Sequence, residues 1–147
     1  MPISPSKLTL YPGGSIQSPE WLALRRQVEA RAGGCCENCG VKNHALGGRT
    51  AAGEFVQALP LGDNGLRILW PRQGDEAWCR NGTEEPVVLK IIMIVCTTAH
   101  LDGKLVDHSL NNLRFWCQQC HLRHDAHLRK LEELERAGQL PLFAEAR

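Results

Sequence analysis

Two pairs of cysteines form the most specific chemical pattern in this sequence. Cys36 and Cys39 are separated by two residues, and so are Cys117 and Cys120 much further along the chain. Each pair can place two thiolates on one metal ion, and two pairs complete a tetrahedral Zn²⁺ site. The long separation is compatible with a shared ion, because loop-closure entropy rises only logarithmically with loop length. We therefore predict a structural zinc, with two unrelated pairs or redox cysteines as the alternatives.

The other three cysteines are predicted to be free thiols. Seven cysteines without a signal-peptide pattern favour metal ligands in a reducing compartment over a disulfide framework. Cys96 lies in an apolar run and is interpreted as a small buried residue. Cys35 is adjacent to Cys36, but only Cys36 has the two-residue gap to Cys39. Cys35 and Cys79 are therefore left outside the predicted zinc site.

Three further polar residues lie where a hydrolytic site would need them. His100 ends an apolar run, Asn112 follows a loop, and His121 comes directly after the last zinc cysteine. A histidine at a strand end, a later asparagine and a metal ligand on the next helix form the ββα-metal arrangement. Phosphodiester hydrolysis needs a base, and neutral imidazole titrates near the working pH. It also needs a divalent ion to neutralise charge on the phosphate and the departing oxygen.

Each of these residues has a second interpretation that the sequence leaves open. His100 is alternatively a hydrogen-bonded core histidine. Asn112 is alternatively a helix cap, a role compatible with orienting His100. His121 alternatively replaces a cysteine on the zinc or lies on the surface. The other histidines of the C-terminal half are predicted to be solvated: His108, His124 and His127.

Taken together, these motifs resemble the HNH endonuclease family, and particularly a group of uncharacterised phage and prophage members. The resemblance covers about a third of the chain. It rests on Cys36-Glu37-Asn38-Cys39-Gly40 with the helix before it, on Thr97-Thr98-Ala99-His100-Leu101-Asp102, and on the stretch from Asn112 through Cys117-Gln118-Gln119-Cys120-His121 to Asp125.

The resemblance implies both an activity and roles for individual residues. It implies hydrolysis of DNA phosphodiester bonds, with His100 as the general base and Asn112 orienting it. His121 becomes a ligand of a catalytic Mg²⁺ or Mn²⁺ ion, while the four cysteines hold the structural Zn²⁺. The implied partners are DNA and, by family association, phage packaging or replication proteins.

One position departs from the family pattern. Many members have an ion-binding acidic residue immediately before the base histidine, and here that residue is Ala99. Asp102 lies two residues beyond His100, on the same face if the strand continues, and is the expected replacement ligand, directly or through water. Asp125 and His124, one turn beyond His121, are further candidates.

Two other classes of function follow from this departure and from the chain outside the motifs. One is a non-catalytic, zinc-stabilised nucleic-acid-binding or phage assembly protein on a degenerate HNH scaffold. The other is a protein-interaction module that uses the insertion and the acidic tail. The formal net charge of +1 gives no evidence for nucleic acid. Four basic residues are expected either to contact phosphates or only to solvate the helix: Arg114, Arg123, Arg129 and Lys130.

Two helices are predicted from their end signals. Ser18-Pro19-Glu20 places a capping hydroxyl, an N1 proline and an acid at a helix start, and Gly33-Gly34 ends that helix. A second, long helix is predicted over residues 118–137. Its inward-facing residues are predicted to be Leu122, Leu128, Leu131 and Leu134.

The region between the helices is predicted to be rich in β-structure. Strands are expected at 54–59 and 66–70, separated by the hairpin-type turn Gly62-Asp63-Asn64-Gly65. Residues 71–86 are expected to form a polar loop. The near-continuous apolar run 87–98 predicts one long strand buried on both faces.

The predicted fold class is therefore α+β. It consists of a ββα-metal core stabilised by a four-cysteine zinc site, with an inserted β-rich segment and a long C-terminal helix. Residues 1–17 are predicted to be a mobile arm, 18–137 a single domain with an insertion at about 41–96, and 138–147 a tail. The absence of an apolar run of membrane length predicts no membrane partner and a cytoplasmic location, that of the bacterial host if the protein is phage-encoded.

Overall fold

The computed structural model describes residues 3–138 and divides the chain into two compact units. The first unit comprises the residues up to Gly40 and those from Cys96 onwards, and the second is Val41–Val95. Helices and small sheets occur together, which confirms the mixed α+β class. Most of the predicted tail, residues 139–147, lies outside the described residues.

The regular elements are short apart from two helices. The helices are α1 (Pro5–Leu8), α2 (Pro19–Ala32) and α3 (Gln118–Arg136). The strands are β1 (Leu46–Arg49), β2 (Phe55–Gln57), β3 (Gly62–Asp63), β4 (Ile68–Leu69), β5 (Glu76–Cys79), β6 (Val87–Lys90), β7 (Ile92–Met93), β8 (Cys96–His100) and β9 (Leu113–Cys117), with 3₁₀ turns at Pro12–Gly14 and Leu110–Asn112.

Helix α2 begins and ends where its sequence signals predict. The Ser18 side chain accepts a hydrogen bond from the backbone N–H of Trp21 at 3.2 Å, which satisfies one of the unpaired donors of the first turn. Gly33 ends the helix with a φ of 65°, a conformation that glycine adopts without a steric cost. Trp21 and Val28 are buried and fix the inner face of the helix.

The predicted N-terminal arm contains two short helical elements, helix α1 and the 3₁₀ turn. Between them lies Tyr11, whose ring packs against that of Trp21 with 5.0 Å between centroids. The Ser18 hydroxyl also donates to the carbonyl oxygen of Pro12. The segment thus contacts helix α2, while the mobility predicted for it stays a prediction.

The first unit is built around a hairpin that leads into the long helix. Strands β8 and β9 pair antiparallel, with Cys96 opposite Cys117 and His100 opposite Leu113. Helix α3 starts directly after Cys117, which is its N-cap residue. Because the strand ends where the helix begins, the strand end and the first helical turn lie together beside the second cysteine pair.

The second unit consists of small antiparallel sheets around one apolar cluster. Its sheets are β2-β1-β7, β3-β4 and β5-β6. A bridge between Ala58 and Cys79 links the first of these to β5. Gly48 in β1 approaches its neighbours so closely that a Cβ atom there would lie 2.4 Å from the Cβ of Leu89, so only glycine fits. The buried cluster is Val56, Ala58, Ala77, Cys79 and Ile91.

The apolar run 87–98 does not form the single strand that its composition predicts. It is divided among β6, β7 and β8, which belong to three different sheets. The backbone N–H of Ile91 donates to Asp75, and that of Ile94 donates to Ala45, so the chain changes partner twice. Both isoleucines are fully buried. Val87, Val88 and Val95 of the same run are exposed, so the run does not form one strand covered on both faces.

Two predictions between residues 60 and 86 are also wrong in detail. Gly62-Asp63 is itself a strand paired with Ile68–Leu69, and the turn lies at 64–67. The Asn64 side chain stabilises this turn by accepting from the N–H groups of Leu66 and Arg67. The predicted polar loop contains strand β5, whose residues alternate between exposed and buried. That alternation is a strand signal, but it covers only four residues.

Helix α3 confirms the predicted boundaries to within a residue, but one of its inward residues is wrong. Leu122 is 67% exposed. Leu128, Leu131 and Leu134 are half-buried. Leu122 is exposed because the packed face of the helix starts at Cys120, and a residue two positions further on points about 200° away.

Candidate functional site

The four cysteines predicted to bind zinc form one cluster. The Sγ atoms of Cys36, Cys39, Cys117 and Cys120 all lie within 4.8 Å of one another. Four thiol ligands at this separation match the donor set of a tetrahedral Zn²⁺ site, so the cluster could hold a metal ion such as zinc. Cys36 belongs to the cluster and its neighbour Cys35 does not, as the spacing predicts.

Hydrogen bonds attach the first cysteine pair to strand β9. The N–H of Glu37 donates to the carbonyl oxygen of Phe115, and the N–H of Phe115 donates to Oε1 of Glu37, both at 2.8 Å. Arg31 forms an ion pair with Glu37 and also donates to the carbonyl oxygens of Leu110 and Leu113. The loop that carries Cys36 is therefore fixed to the strand that carries Cys117.

The thiols of the cluster differ in their electrostatic environment. Burial disfavours the thiolate of Cys36, but hydrogen bonds from Cys39, Cys117 and Asn38 outweigh it and lower the pKa of the thiol to about 7. Burial raises the pKa of Cys120 to about 12, although its Sγ accepts a hydrogen bond from Asn38 Nδ2 at 3.2 Å. A cation would compensate the charge of four thiolates held this close.

The other three cysteines are outside the cluster. Cys79 and Cys96 are buried, and Cys35 is half-buried. Burial, followed by the nearby thiols, raises the pKa of Cys96 to about 12, which keeps this thiol neutral. Its buried position agrees with its interpretation as a small apolar residue.

A cavity of about 150 Å³ lies beside the hairpin and helix α3. Two of the predicted catalytic residues, His100 and His121, line it together. They come from the end of β8 and from the first turn of α3. The remaining lining residues are Tyr11, Thr98, Ala99, Gly103, Leu105 and Asp125.

His100 is held by aromatic rings and one hydrogen bond. Its imidazole is parallel to the indole of Trp21, with an angle of 7° between the planes and 5.7 Å between centroids. Its Nε2 lies 2.9 Å from Nδ1 of His108. Burial, followed by the proximity of the His108 imidazole, lowers the pKa of His100, which favours the neutral form of its ring.

His121 and Asp125 form a pair on the cavity side of helix α3. They are one turn apart, and His121 Nε2 lies 3.6 Å from Asp125 Oδ2. Both side chains are partly exposed, at 37% and 42%. An imidazole nitrogen and a carboxylate oxygen at this separation are suitable ligands for one divalent ion.

Asp102, the replacement ligand expected from the sequence, does not line the cavity. Its Oδ1 accepts hydrogen bonds from Asn112 Nδ2 at 3.1 Å and from the backbone N–H of Lys104 at 2.9 Å. Burial, the largest single effect, disfavours the carboxylate of Asp102, but these hydrogen bonds and the nearby His100 and Lys104 together outweigh it and lower the pKa of the carboxyl. Asp102 therefore stabilises the loop after β8, and Asp125 is the carboxylate that the cavity contains.

Asn112 is buried and connects the two ends of the loop between β8 and β9. Its Nδ2 donates to Asp102 and to the carbonyl oxygen of Asp107, and its Oδ1 accepts from the N–H of Asp102. Its carbonyl oxygen also accepts from the N–H of Leu101. The hydrogen bonds of this side chain thus go to the loop and not to the ring of His100.

Two of the three histidines predicted to be solvated have structural contacts. His124 Nε2 donates to the carbonyl oxygen of Leu101 at 2.6 Å, and its ring lies 4.6 Å from that of Trp116. His108 contacts His100. His127 is exposed, as predicted. Spacing could not identify His108, because its position depends on how the loop folds back across the hairpin.

The four basic residues predicted to contact phosphates occupy different positions. Arg114 is half-buried and donates to the carbonyl oxygens of Asn111 and Leu113. The three others lie on helix α3 with exposed side chains: Arg123, Arg129 and Lys130.

Comparison of the chain with known protein families, curated proteins and solved structures finds no match. Among residues 3–138, none of the helices combines the length and the apolar character needed to cross a lipid bilayer. The site geometry is therefore the basis for any assignment of function.

Proposed function

We propose that this chain is a metal-dependent endonuclease of the HNH type that hydrolyses DNA phosphodiester bonds. The observation that carries the proposal is the cavity lined jointly by His100, His121 and Asp125. A neutral imidazole and a separate imidazole–carboxylate pair in one small cavity are the parts needed for a base and an ion site. The hairpin β8–β9 followed by helix α3 supports the same assignment.

His100 acts as the general base in this proposal. Burial lowers its pKa, so the ring is unprotonated at neutral pH and can accept a proton from an attacking water. The stacked indole of Trp21 and the hydrogen bond to His108 restrict the orientation of the ring. A base held in one orientation does not have to be ordered again as the reaction proceeds.

His121 and Asp125 are the residues that would hold the catalytic Mg²⁺ or Mn²⁺. Their donor atoms fit such an ion, and Mg²⁺ commonly takes only one or two protein ligands together with waters and substrate phosphate. When bound, the ion supplies positive charge against the phosphate and the departing 3′ oxygen. Tyr11 also lines this cavity, and burial raises the pKa of its hydroxyl, which keeps it a neutral hydrogen-bond donor.

The cysteine cluster has a structural role in the proposal. Bound Zn²⁺ would connect the loop of Cys36 and Cys39 to the end of β9 and the first turn of α3. His121 directly follows Cys120, so the zinc would also fix the turn that carries the ion ligand. Positions of catalytic side chains matter to within about 0.5 Å.

DNA is the proposed substrate, and phage packaging or replication proteins are the proposed partners. Arg123, Arg129 and Lys130 are exposed on the helix that carries His121, where they can contact phosphates. Replacing all three with glutamine is expected to weaken DNA binding and to reduce its salt dependence. Contacts of this kind carry little sequence information.

Plasmid nicking tests the proposed activity. The zinc-loaded protein is incubated with supercoiled plasmid and Mg²⁺ or Mn²⁺, and we expect conversion to the nicked form. His100→Ala is expected to abolish nicking with an unchanged circular dichroism spectrum and zinc content. His127→Ala is the matched control, because His127 is exposed and outside the cavity. Unchanged nicking by His100→Ala would reject the mechanism.

A second candidate is a non-catalytic, zinc-stabilised nucleic-acid-binding or phage assembly protein. It is favoured by Ala99, which is buried and lines the cavity at the position where many HNH nucleases have an acidic ion ligand. This candidate predicts salt-sensitive DNA binding by the wild type but no nicking with any divalent ion. Nicking that depends on His100 excludes it.

A further inference from the structure

Two histidines and a backbone carbonyl form a hydrogen-bonded chain that ends at the proposed base. His108 Nε2 lies 2.9 Å from the carbonyl oxygen of Leu10, and His108 Nδ1 lies 2.9 Å from Nε2 of His100. The two imidazole rings are nearly perpendicular, at 71°, with 5.1 Å between centroids. Both ring nitrogens of His108 therefore form a hydrogen bond, and so does Nε2 of His100.

The chemistry of the carbonyl sets the direction of every hydrogen bond in this chain. A carbonyl oxygen only accepts hydrogen bonds, so Nε2 of His108 carries a hydrogen and donates a hydrogen bond to the carbonyl oxygen of Leu10. The other nitrogen of a neutral imidazole is an acceptor, so Nδ1 of His108 accepts from Nε2 of His100. In the neutral ring of His100 the proton is then on Nε2, and Nδ1 carries the free lone pair.

Among the contacts of His100, the hydrogen bond to His108 is the one that selects the tautomer. The faces of the ring contact aromatic groups, with Trp21 stacked at 5.7 Å and Tyr11 edge-on at 6.1 Å. Such contacts restrict the plane of the ring but do not distinguish its two nitrogens. The Asn112 side chain bonds to the loop and not to the ring. His108 is the residue that distinguishes Nε2 from Nδ1.

We propose that His108 is a positioning residue that holds the base His100 in the Nε2–H tautomer, with Nδ1 as the nitrogen that accepts the proton from water. The proposal rests on the function proposed above. It also gives the N-terminal segment a role in the site, because Leu10 supplies the carbonyl that orients His108. Two residues that are not adjacent to the motif, Leu10 and His108, thereby determine which nitrogen of the base is available.

Nuclear magnetic resonance of ¹⁵N-labelled wild-type protein tests the tautomer without any requirement for activity. The ring proton of His100 is expected on Nε2, slowly exchanging with water, and its signal is assigned by its loss in His100→Ala. A proton on Nδ1 of His100 in the wild type would overturn the proposal. If the protein nicks no DNA, the proposed function fails, while this measurement still decides the tautomer.

Two substitutions of His108 separate positioning from simple packing. In His108→Asn the amide oxygen can replace Nδ1 as the acceptor, so the Nε2–H signal of His100 and kcat for nicking should both be retained. In His108→Leu the acceptor is lost, the signal should disappear through exchange with water, and kcat should fall by about 10- to 100-fold with KM little changed. Equal effects of both substitutions, with the signal retained, would mean that His108 only fills space.

Discussion

The residues of the cavity differ in how far the sequence defines them. His100 and His121 follow from motif spacing, and the structure places both at the cavity. Asp125 was only one of several candidates, and it is selected because it lies one helical turn from His121 on the same side of α3. Asp102 was preferred on strand alternation, which fails because the strand ends at His100. Both residues of the proposed ion site therefore lie on the helix.

Substitution of the helical ligand is expected to affect the ion without affecting the zinc. His121→Ala removes one of two protein donors, so Mn²⁺ affinity measured by titration and nicking should both fall, by roughly 100-fold. The zinc content should be unchanged because His121 is outside the cysteine cluster. His127→Ala, on the exposed part of the same helix, serves as the control. Unchanged Mn²⁺ affinity in His121→Ala would contradict this ligand assignment.

The buried environment of His100 predicts how activity depends on pH. Burial disfavours the imidazolium ion, so the pKa of His100 is lower than its ordinary value of about 6.5. The proposed base is therefore expected to lose its proton at a lower pH than an exposed imidazole, and the acidic limb of kcat/KM should have its midpoint below about 6.5. Because the folded pKa is lowered, the contribution of this group to stability is present above about 6.5 and is lost as the pH falls.

Measurement of kcat/KM for nicking between pH 5 and 8 at constant ionic strength checks this expectation. Thermal unfolding over the same range provides the correction for loss of folded protein. A midpoint at or above the ordinary imidazole pKa would contradict the buried, neutral base.

At the scale of elements, the end of strand β8 carries the proposed base and helix α3 carries the proposed ion ligands. Asn112 connects the start of the loop between β8 and β9 to its end through three side-chain hydrogen bonds. Arg31 and Glu37 connect helix α2 and the first cysteine pair to strand β9. These connections join segments far apart in sequence, so local propensity does not predict them.

Loss of the Asn112 amide is expected to destabilise the loop and reduce activity. Asn112→Ala removes three hydrogen bonds from a largely buried site, and the free energy of unfolding should fall by about 2 kcal/mol. Asn111→Ala is the matched control, because the neighbouring Asn111 is exposed. Urea unfolding of the two variants provides the comparison. Equal stability would show that the loop does not depend on Asn112.

At the scale of the whole molecule, the first unit contains a cluster of four cysteine side chains. The cluster joins segments from both ends of this unit, and its two pairs flank the whole of the second unit in the sequence. A metal that binds the folded unit but not the unfolded chain contributes its binding energy to folding. Zinc is therefore expected to dominate the stability of this unit.

Removal of one zinc ligand is expected to unfold the first unit. Cys36→Ser should lower the zinc content of the purified protein from one ion per chain to nearly none, and chelation of the wild type should have the same effect on thermal stability. Cys35→Ser is a close control, because it changes the adjacent cysteine outside the cluster. Zinc content is measured by mass spectrometry. One tightly bound zinc in Cys36→Ser would contradict the predicted ligand set.

The sequence by itself determines features that depend on neighbouring residues. It defines the cysteine pairs and the ends of helices α2 and α3, because two-residue knuckles, capping hydroxyls and terminal glycines act over a few positions. It does not define the partners of the run 87–98, the loop contacts of Asn112 and Asp102, or the contact of His108 with His100. Those contacts depend on which distant segments of the chain pack against one another. Packing involves the whole unit, so only the tertiary structure determines these contacts.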